Sequence, residues 1–432
     1  MFPRNFSPKG LLAMASDLTG HLTSTPATSE LRLCLPSPSS YLALHNRSAS
    51  SFIDKDNQKG IGNHGIEQTR KIFTTSCRNN LESLTVSKPK AKYGGRFMVT
   101  LLPGDGIGPE MMRHVKTIFR VGGIPVDFEE INLDSMNENL EKMEEAITSI
   151  KRNGVALKGN IETREHSKYF KSRNVELRTR LDLYVNIVHI KSQPSVATRH
   201  KDIDLYLIRQ NTEGEYSSIE HETVPGVVEC LKVVTKPKCD QIARYAFEFA
   251  VQNNRRKVSC VHKANIMKVS DGLFLRTARE VSKEFPQIEF EDIIIDNCSM
   301  QLVSNPWQFD VLLLPNLYGA VLTNIACGLV GGPGLTSGAN YGDEYAVFET
   351  GARNTGKTMT GKNIANPIAV INASADLLQY LKLDDYAELI RSAVHRALNE
   401  AKVHTPDLNG QHSTTDVVNF IIDDIRHQLH LG

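Results

Sequence analysis

Arg96-Phe-Met-Val-Thr-Leu-Leu-Pro-Gly-Asp-Gly-Ile-Gly-Pro-Glu-Met-Met-Arg-His-Val-Lys-Thr-Ile-Phe119 reads as a strand, a glycine turn and a helix in immediate succession. Phe97–Leu102 is an apolar, β-rich run. Gly104, Gly106 and Gly108 make the turn, and Pro109 stands where a first helical residue belongs. Met111, Met112, Val115, Ile118 and Phe119 then recur at helical spacing. The pattern continues outward. Val126–Leu133, Val155–Leu157, Ile203–Ile208, Val227–Val234, Val258–Val261, Ile293–Asp296, Val311–Leu314 and Tyr345–Phe348 read as further strands. Gln241–Gln252, Asp271–Lys283, Ala369–Leu381, Tyr386–Ala401 and Asp416–Leu429 carry helical periodicity. Strands alternating with helices over short connections predict an α/β fold of packed layers.

Composition excludes several classes of function. At 432 residues the chain has room for two or three domains of about 150 residues each. Its 50 basic residues nearly balance its 49 acidic ones, and no basic stripe occurs, so no nucleic-acid partner is expected. No apolar run approaches the roughly 20 residues that span a bilayer, so no membrane insertion is expected either. The seven cysteines are odd in number and lack metal-site spacing, which points to a reducing compartment. Residues 1–50 differ from the rest: thirteen are Ser or Thr and only Asp17 and Glu30 are acidic. With Arg4, Lys9, Arg32 and Arg47 spaced through it, this end reads as an organelle transit peptide or a disordered tail.

Several polar groups fall at the ends of predicted strands. The glycine turn is either a phosphate-binding loop or a simple tight turn. Arg178, Arg180 and Arg209 offer guanidinium groups that either converge on a small polycarboxylate or form surface ion pairs. Lys263 follows the Val258–Val261 strand, where a lysine of lowered pKa can exchange protons, while His262 reads as its packed neighbour. Asp296, taken as closing a buried strand, is a candidate hard-oxygen ligand for Mg²⁺ or Mn²⁺, though one carboxylate makes a poor site.

Five stretches in order resemble one family. They are Leu102-Pro-Gly-Asp-Gly-Ile-Gly-Pro-Glu110, Arg209-Gln-Asn-Thr-Glu-Gly-Glu-Tyr216, Val261-His-Lys-Ala-Asn-Ile266, Pro315-Asn-Leu-Tyr-Gly319 and Asn363-Ile-Ala-Asn-Pro367. From about Lys92 onward the chain resembles the β-decarboxylating dehydrogenases of isocitrate and isopropylmalate. Lys92-Tyr-Gly-Gly-Arg96, Leu157-Lys-Gly-Asn-Ile-Glu-Thr163 and the Phe348–Lys357 segment resemble its mitochondrial, NAD-dependent gamma branch. The resemblance implies an isocitrate/isopropylmalate dehydrogenase-like α/β fold of two domains, with the large domain discontinuous and the small domain carrying the dimer interface. The expected division is 1–90 transit peptide and N-terminal extension, 91–190 and 330–432 large domain, and 191–329 small domain. It also implies the mitochondrial matrix, a divalent metal on the substrate, and proton transfer by Tyr216 and by Lys263, the lysine reaching from the partner subunit.

The departures from that family shape the functional expectation. Catalytic members read Y-G-D-x-x-S-D where this chain has Tyr318-Gly-Ala-Val-Leu-Thr-Asn324, so Ala320 and Asn324 mark two lost metal carboxylates on one helical face. Val188 stands where a third substrate arginine belongs, and Gly351–Lys357 replaces the catalytic adenine loop. Thr163, Asn174, Arg178, Arg209 and Tyr216 are left to bind citrate or a similar polyanion, and Asn354, Thr355 and Asn366 to hold ADP. The implied role is a regulatory, non-catalytic subunit of a hetero-oligomeric isocitrate dehydrogenase, with NAD on the catalytic partner and Asp296 and Lys263 acting in trans. The alternatives are a dehydrogenase active by itself and a repurposed anion-binding protein.

Overall fold

The computed structural model describes residues 92–133, 135, 140–163 and 172–429; the expected transit peptide and extension at 1–90 lie outside them. The strands are β1 (Lys92–Tyr93), β2 (Arg96–Leu102), β3 (Val126–Glu130), β4 (Val155–Lys158), β5 (Val185–Lys191) and β6 (Asp204–Gln210). They continue with β7 (Gly214–Val224), β8 (Val227–Val233), β9 (Lys257–His262), β10 (Glu289–Ile294), β11 (Val311–Leu314), β12 (Ser337–Tyr341) and β13 (Ala346–Thr350). The helices are α1 (Gly108–Val121), α2 (Leu140–Asn153), α3 (Arg173–Arg180), α4 (Lys236–Gln252) and α5 (Ser270–Ser282). After them come α6 (Ile295–Ser304), α7 (Asn316–Leu329), α8 (Ile368–Tyr380), α9 (Asp384–His395) and α10 (Thr414–Gln428).

Among the described residues, one eleven-stranded sheet runs β1-β2-β4-β13-β12-β5-β6-β11-β9-β10, with β3 also paired to β2. Pairing is parallel on both flanks, through β3–β2–β4–β13 and through β6–β11–β9–β10. It is antiparallel at the centre, where β12 and β5 join the two halves. Parallel strands covered on both faces need apolar side chains on both, which explains the unbroken runs in the sequence. Val155 and Leu157 of β4 pack with α1, α8, α9 and α10, while Ala156 packs on the opposite side with α2. Val311 and Leu313 of β11 likewise face α4 and α5, and Leu312 and Leu314 face α6 and α7.

The elements start where their chemistry allows. Pro109 occupies the first turn of α1, whose apolar stripe is buried as its spacing predicts. Ser413 and Asp416 close a reciprocal capping box at the start of α10. Two expectations are corrected. Ile293–Asp296 is not a strand throughout, because β10 ends at Ile294 and Asp296 lies in the first turn of α6. The helix expected over Tyr386–Ala401 ends at His395 and continues as a π turn over Arg396–Glu400. The strand expected over Val227–Val234 is present as β8, in a separate hairpin with β7. That hairpin exposes Val224, Val227, Val228 and Leu231.

Among the described residues no helix is long and apolar enough to cross a membrane. Cys239, Cys260, Cys298 and Cys327 are buried thiols, and Cys230 is exposed on the hairpin. Phe348 of β13 is fully buried, with ring centroids 5.9 Å from Tyr341 and 5.6 Å from Tyr380. Phe348→Ala therefore lowers the unfolding free energy by about 3–5 kcal/mol. A fall in the urea midpoint at unchanged slope is the expected measurement.

Candidate functional site

The glycine turn is a docking platform for the loop after β13. Its main chain meets that loop and the end of β4 directly: Ile107 N–H donates to Thr355 O at 3.0 Å, and Asp105 N–H donates to Asn160 O at 2.8 Å. Gly106 adopts φ +63°, and a Cβ there would lie 1.9 Å from the Thr355 carbonyl. Close backbone approach accounts for this glycine without any phosphate. The turn thereby fixes Asn354 and Thr355; Asn160 Nδ2 also donates to the Asn354 carbonyl at 2.8 Å. Asn366 has other neighbours. Its Nδ2 donates to Asp407 Oδ2 at 3.1 Å, and its Oδ1 accepts the Ile368 N–H at the start of α8.

The arginines divide between the two readings their spacing allowed. Arg180 is at the surface, paired with Glu144 at 2.6 Å. Arg178 is 5% exposed and Arg209 is 3% exposed. Arg178 Nη1 donates to Asn211 Oδ1 at 3.2 Å, and Arg209 holds Asn316 Oδ1 through Nε and Nη2 at 3.1 and 2.7 Å. The Arg209 guanidinium stacks 5.1 Å above the Tyr216 ring. Neutral amides orient both guanidinium groups without neutralising them.

Two more cations and one carboxylate complete the cluster. Lys158, at the end of β4, is buried and lies 2.8 Å from Glu349 Oε2. Its ammonium also donates to Asn174 Oδ1 at 3.1 Å, while Asn174 Nδ2 donates to the Ile161 carbonyl. Arg353 donates to Glu349 Oε1 through Nε and Nη2 at 3.1 and 3.0 Å. Burial pushes the Glu349 pKa up, but Arg353, then Lys158 and Arg178, override it and hold it well below the usual carboxylate range. Burial, and after it repulsion from Arg353 and Arg209, lowers the Arg178 pKa. Burial and Arg353 push Arg209 down to about 10. Four cations around one carboxylate form a site short of negative charge. Thr163 is exposed, and its hydroxyl meets Ser172 Oγ at 2.8 Å.

The residues expected to act in trans form a second cluster. Lys263 Nζ donates to Asp296 Oδ1 at 2.7 Å, and the lysine lowers the Asp296 pKa. The Asp296 side chain is 68% exposed. The Lys263 main chain is held more firmly: its N–H donates to buried Asp271 Oδ2 at 2.8 Å, and the next N–H, of Ala264, donates to His262 Nδ1 at 3.0 Å. His262 is thus a packed neighbour that anchors the loop. Lys232, from the hairpin, closes the other side by pairing with Asp271 at 2.7 Å and Glu215 at 3.1 Å.

The positions expected to have lost carboxylates, Ala320 and Asn324, offer no carboxylate oxygen. Ala320 and Asn324 share one face of α7, and Asn324 Nδ2 donates to the Ala320 carbonyl at 2.9 Å. A methyl supplies no ligand, and a single neutral amide oxygen makes a poor site for a divalent cation. Among the described residues, no three His, Cys, Asp or Glu side chains gather as metal ligands. Val188 is buried in an apolar cluster with Leu207 and Ala352. Lys158, Glu349, Asn211 and Asn316 were not singled out from the sequence, because a lysine or glutamate at a strand end looks solvated until the sheet order is known.

The isocitrate/isopropylmalate dehydrogenase family matches residues 98–421. The gamma subunit of human mitochondrial NAD isocitrate dehydrogenase is 56% identical over 348 residues, 80% of this chain and 88% of that protein. The bovine mitochondrial beta subunit is 49% identical over 82% of this chain and 91% of its own length. The crystal structure of isocitrate dehydrogenase from Methylococcus capsulatus superposes with a TM-score of 0.73 at 38% identity, covering 76% of this chain and 99% of the other. The chain belongs to the isocitrate/isopropylmalate dehydrogenase family.

Proposed function

We propose that this chain is a regulatory subunit of a mitochondrial NAD-dependent isocitrate dehydrogenase, the enzyme that oxidises and decarboxylates isocitrate to 2-oxoglutarate. The beta and gamma names of its relatives make the assembly a hetero-oligomer. One observation carries the regulatory reading: the buried cations Lys158, Arg178 and Arg209 are kept, while the two expected metal positions hold Ala320 and Asn324. Such a cluster binds a polyanion such as citrate through Thr163, Asn174, Arg178, Arg209 and Tyr216, with no chemistry to follow. Asn354, Thr355 and Asn366 form the proposed ADP loop. We assign residues 91–190 and 330–432 to the large domain and 191–329 to the small, dimer-forming one.

Lys263 and Asp296 serve the catalytic partner in this reading. The partner binds NAD and Mg²⁺ or Mn²⁺. Lys263 carries a proton at Nζ, and the exposed Asp296 carboxylate joins the partner's metal ligands. Their separation from the cationic pocket supports that assignment, since neither hydrogen-bonds any proposed citrate ligand in the described contacts.

NAD reduction on isocitrate with Mn²⁺, followed for the chain alone and mixed with a catalytic subunit, tests the proposal. The chain alone should be silent, and the mixture should respond to citrate and ADP. Turnover by the chain alone, or a catalytic subunit indifferent to it, overturns the reading.

Three variants extend the test. In the assembled enzyme Arg178→Ala should abolish the citrate-induced fall in KM, a coupling of about 1–3 kcal/mol. Restoring carboxylates with Ala320→Asp and Asn324→Asp should strengthen Mn²⁺ binding by calorimetry but leave the isolated chain inactive, because Val188 and the altered loop remain. Lys263→Ala should lower kcat of the intact complex by about 10²–10⁴-fold, the usual range for a lost acid–base group. Size-exclusion chromatography separates that outcome from failed assembly.

A further inference from the structure

The backbone on either side of Lys263 is tied down at three points. The Lys263 N–H donates to Asp271 Oδ2 at 2.8 Å. The Lys263 carbonyl accepts from the Ile266 and Met267 N–H groups at 3.0 and 2.8 Å. The next N–H, of Ala264, donates to His262 Nδ1 at 3.0 Å. Both peptide planes that flank Lys263 are thereby fixed, and with them the direction in which its side chain leaves the chain. A carboxylate and a turn of main chain supply two of these tethers. The third is an imidazole, whose proton can sit on either nitrogen.

The bond pattern decides which nitrogen carries it. A backbone N–H can only donate, so Nδ1 is the bare nitrogen and the ring proton belongs on Nε2. The surroundings agree. His262 is buried, and among the described residues its Nε2 has no hydrogen-bond partner. That nitrogen lies 3.5 Å from Asp292 Oδ2 on the neighbouring strand β10. Arg279 of α5 holds the other oxygen, donating to Oδ1 from Nε and Nη2 at 3.1 and 2.7 Å. Asp292 therefore turns its second oxygen to the imidazole, where a negative charge favours a proton on Nε2 over one on Nδ1.

We propose that His262 is a positioning residue for Lys263, with Asp292 setting its tautomer, so that a neutral imidazole accepting at Nδ1 holds the lysine in line for proton transfer in the partner's site. The inference rests on Lys263 serving the catalytic partner.

Steady-state kinetics of the assembled enzyme at saturating Mn²⁺, isocitrate and NAD test it, with assembly checked by size-exclusion chromatography. Asparagine places its amide oxygen where histidine has Nδ1, whereas glutamine carries its polar atoms one bond further out. His262→Asn should therefore stay within about threefold of the wild-type kcat, while His262→Gln loses about 10–100-fold at unchanged KM, the scale of a misplacement of roughly 1 Å. Asp292→Asn should lose a similar factor. Arg279 would keep the amide oxygen, the amide nitrogen would face Nε2, and the ring proton would move to Nδ1, against the Ala264 N–H. This variant preserves the test if the glutamine one does not assemble. In a Lys263→Ala complex His262→Gln should cost nothing further, because residues that act as a unit are not additive. Equal losses in the asparagine and glutamine variants, or a glutamine loss that persists without Lys263, mark a merely structural role and overturn the proposal. So does a wild-type kcat in the Asp292→Asn complex. A wild-type kcat in the Lys263→Ala complex would instead overturn the assignment of Lys263 itself.

Discussion

The ion pair between Lys158 and Glu349 follows from strand order and register. In the parallel pairing of β4 with β13, Leu157 lies opposite Phe348. The next residue on each strand is therefore Lys158 and Glu349, and alternation turns both to the face opposite those two core side chains. That is the face where Ala156 and Val347 pack with α2 and with Leu177 of α3. A lysine and a glutamate at exposed strand ends would be worth little to each other. Buried as they are here, loss of either partner costs about 3–5 kcal/mol, because the other charge is left without compensation. Arg178, one helical step beyond Leu177, enters the same neighbourhood because α3 is anchored by that leucine. The pocket's charge thus depends on how the sheet is ordered.

This dependence explains which parts of the site were legible in the sequence. Arg178 and Arg209 stood out because guanidinium groups at strand and helix ends invite an anion. Spacing alone could not separate Arg178, which is buried, from Arg180, two residues on, which pairs with Glu144 at the surface. Lys158 and Glu349 are 191 positions apart and meet only through the pairing of β4 with β13. The fold itself was more accessible. Apolar runs gave the strands buried on both faces, and the Pro109 start of α1 needed only local chemistry. The hairpin and the antiparallel centre were harder to read, since β5 and β12 are recognisable as central strands only once each has a partner on either side.

Asp296 was misplaced for a related reason. Ile293, Ile294 and Ile295 form an unbroken β-branched run, which favours a strand to its end. The chain instead turns helical at Ile295, so Asp296 projects from the first turn of α6, where a carboxylate is favoured by the helix dipole. A strand-end position would have directed it toward this chain's own sheet. The helical position leaves it largely exposed, with Lys263 as its partner.

The two clusters also differ in how they are held, and the difference bears on regulation. The cationic pocket is rigid by construction: every charged group in it contacts a buried amide or another buried charge. The Lys263–Asp296 pair is the reverse, with an anchored backbone and an exposed pair of side chains. Asp271 fixes the Lys263 main chain with one oxygen and takes Lys232 of the hairpin with the other. The hairpin is a two-stranded sheet with apolar side chains exposed, and such a unit gains stability by packing against something else. Whatever packs against β7 and β8 therefore bears on Lys232, and through Asp271 on the loop that presents Lys263. Gly214, at the start of β7, is bonded across the hairpin to Val233, and the Glu213 carbonyl before it accepts from Asn316, the same amide that orients Arg209. The anion pocket and the presented lysine are thus fastened to opposite strands of one hairpin.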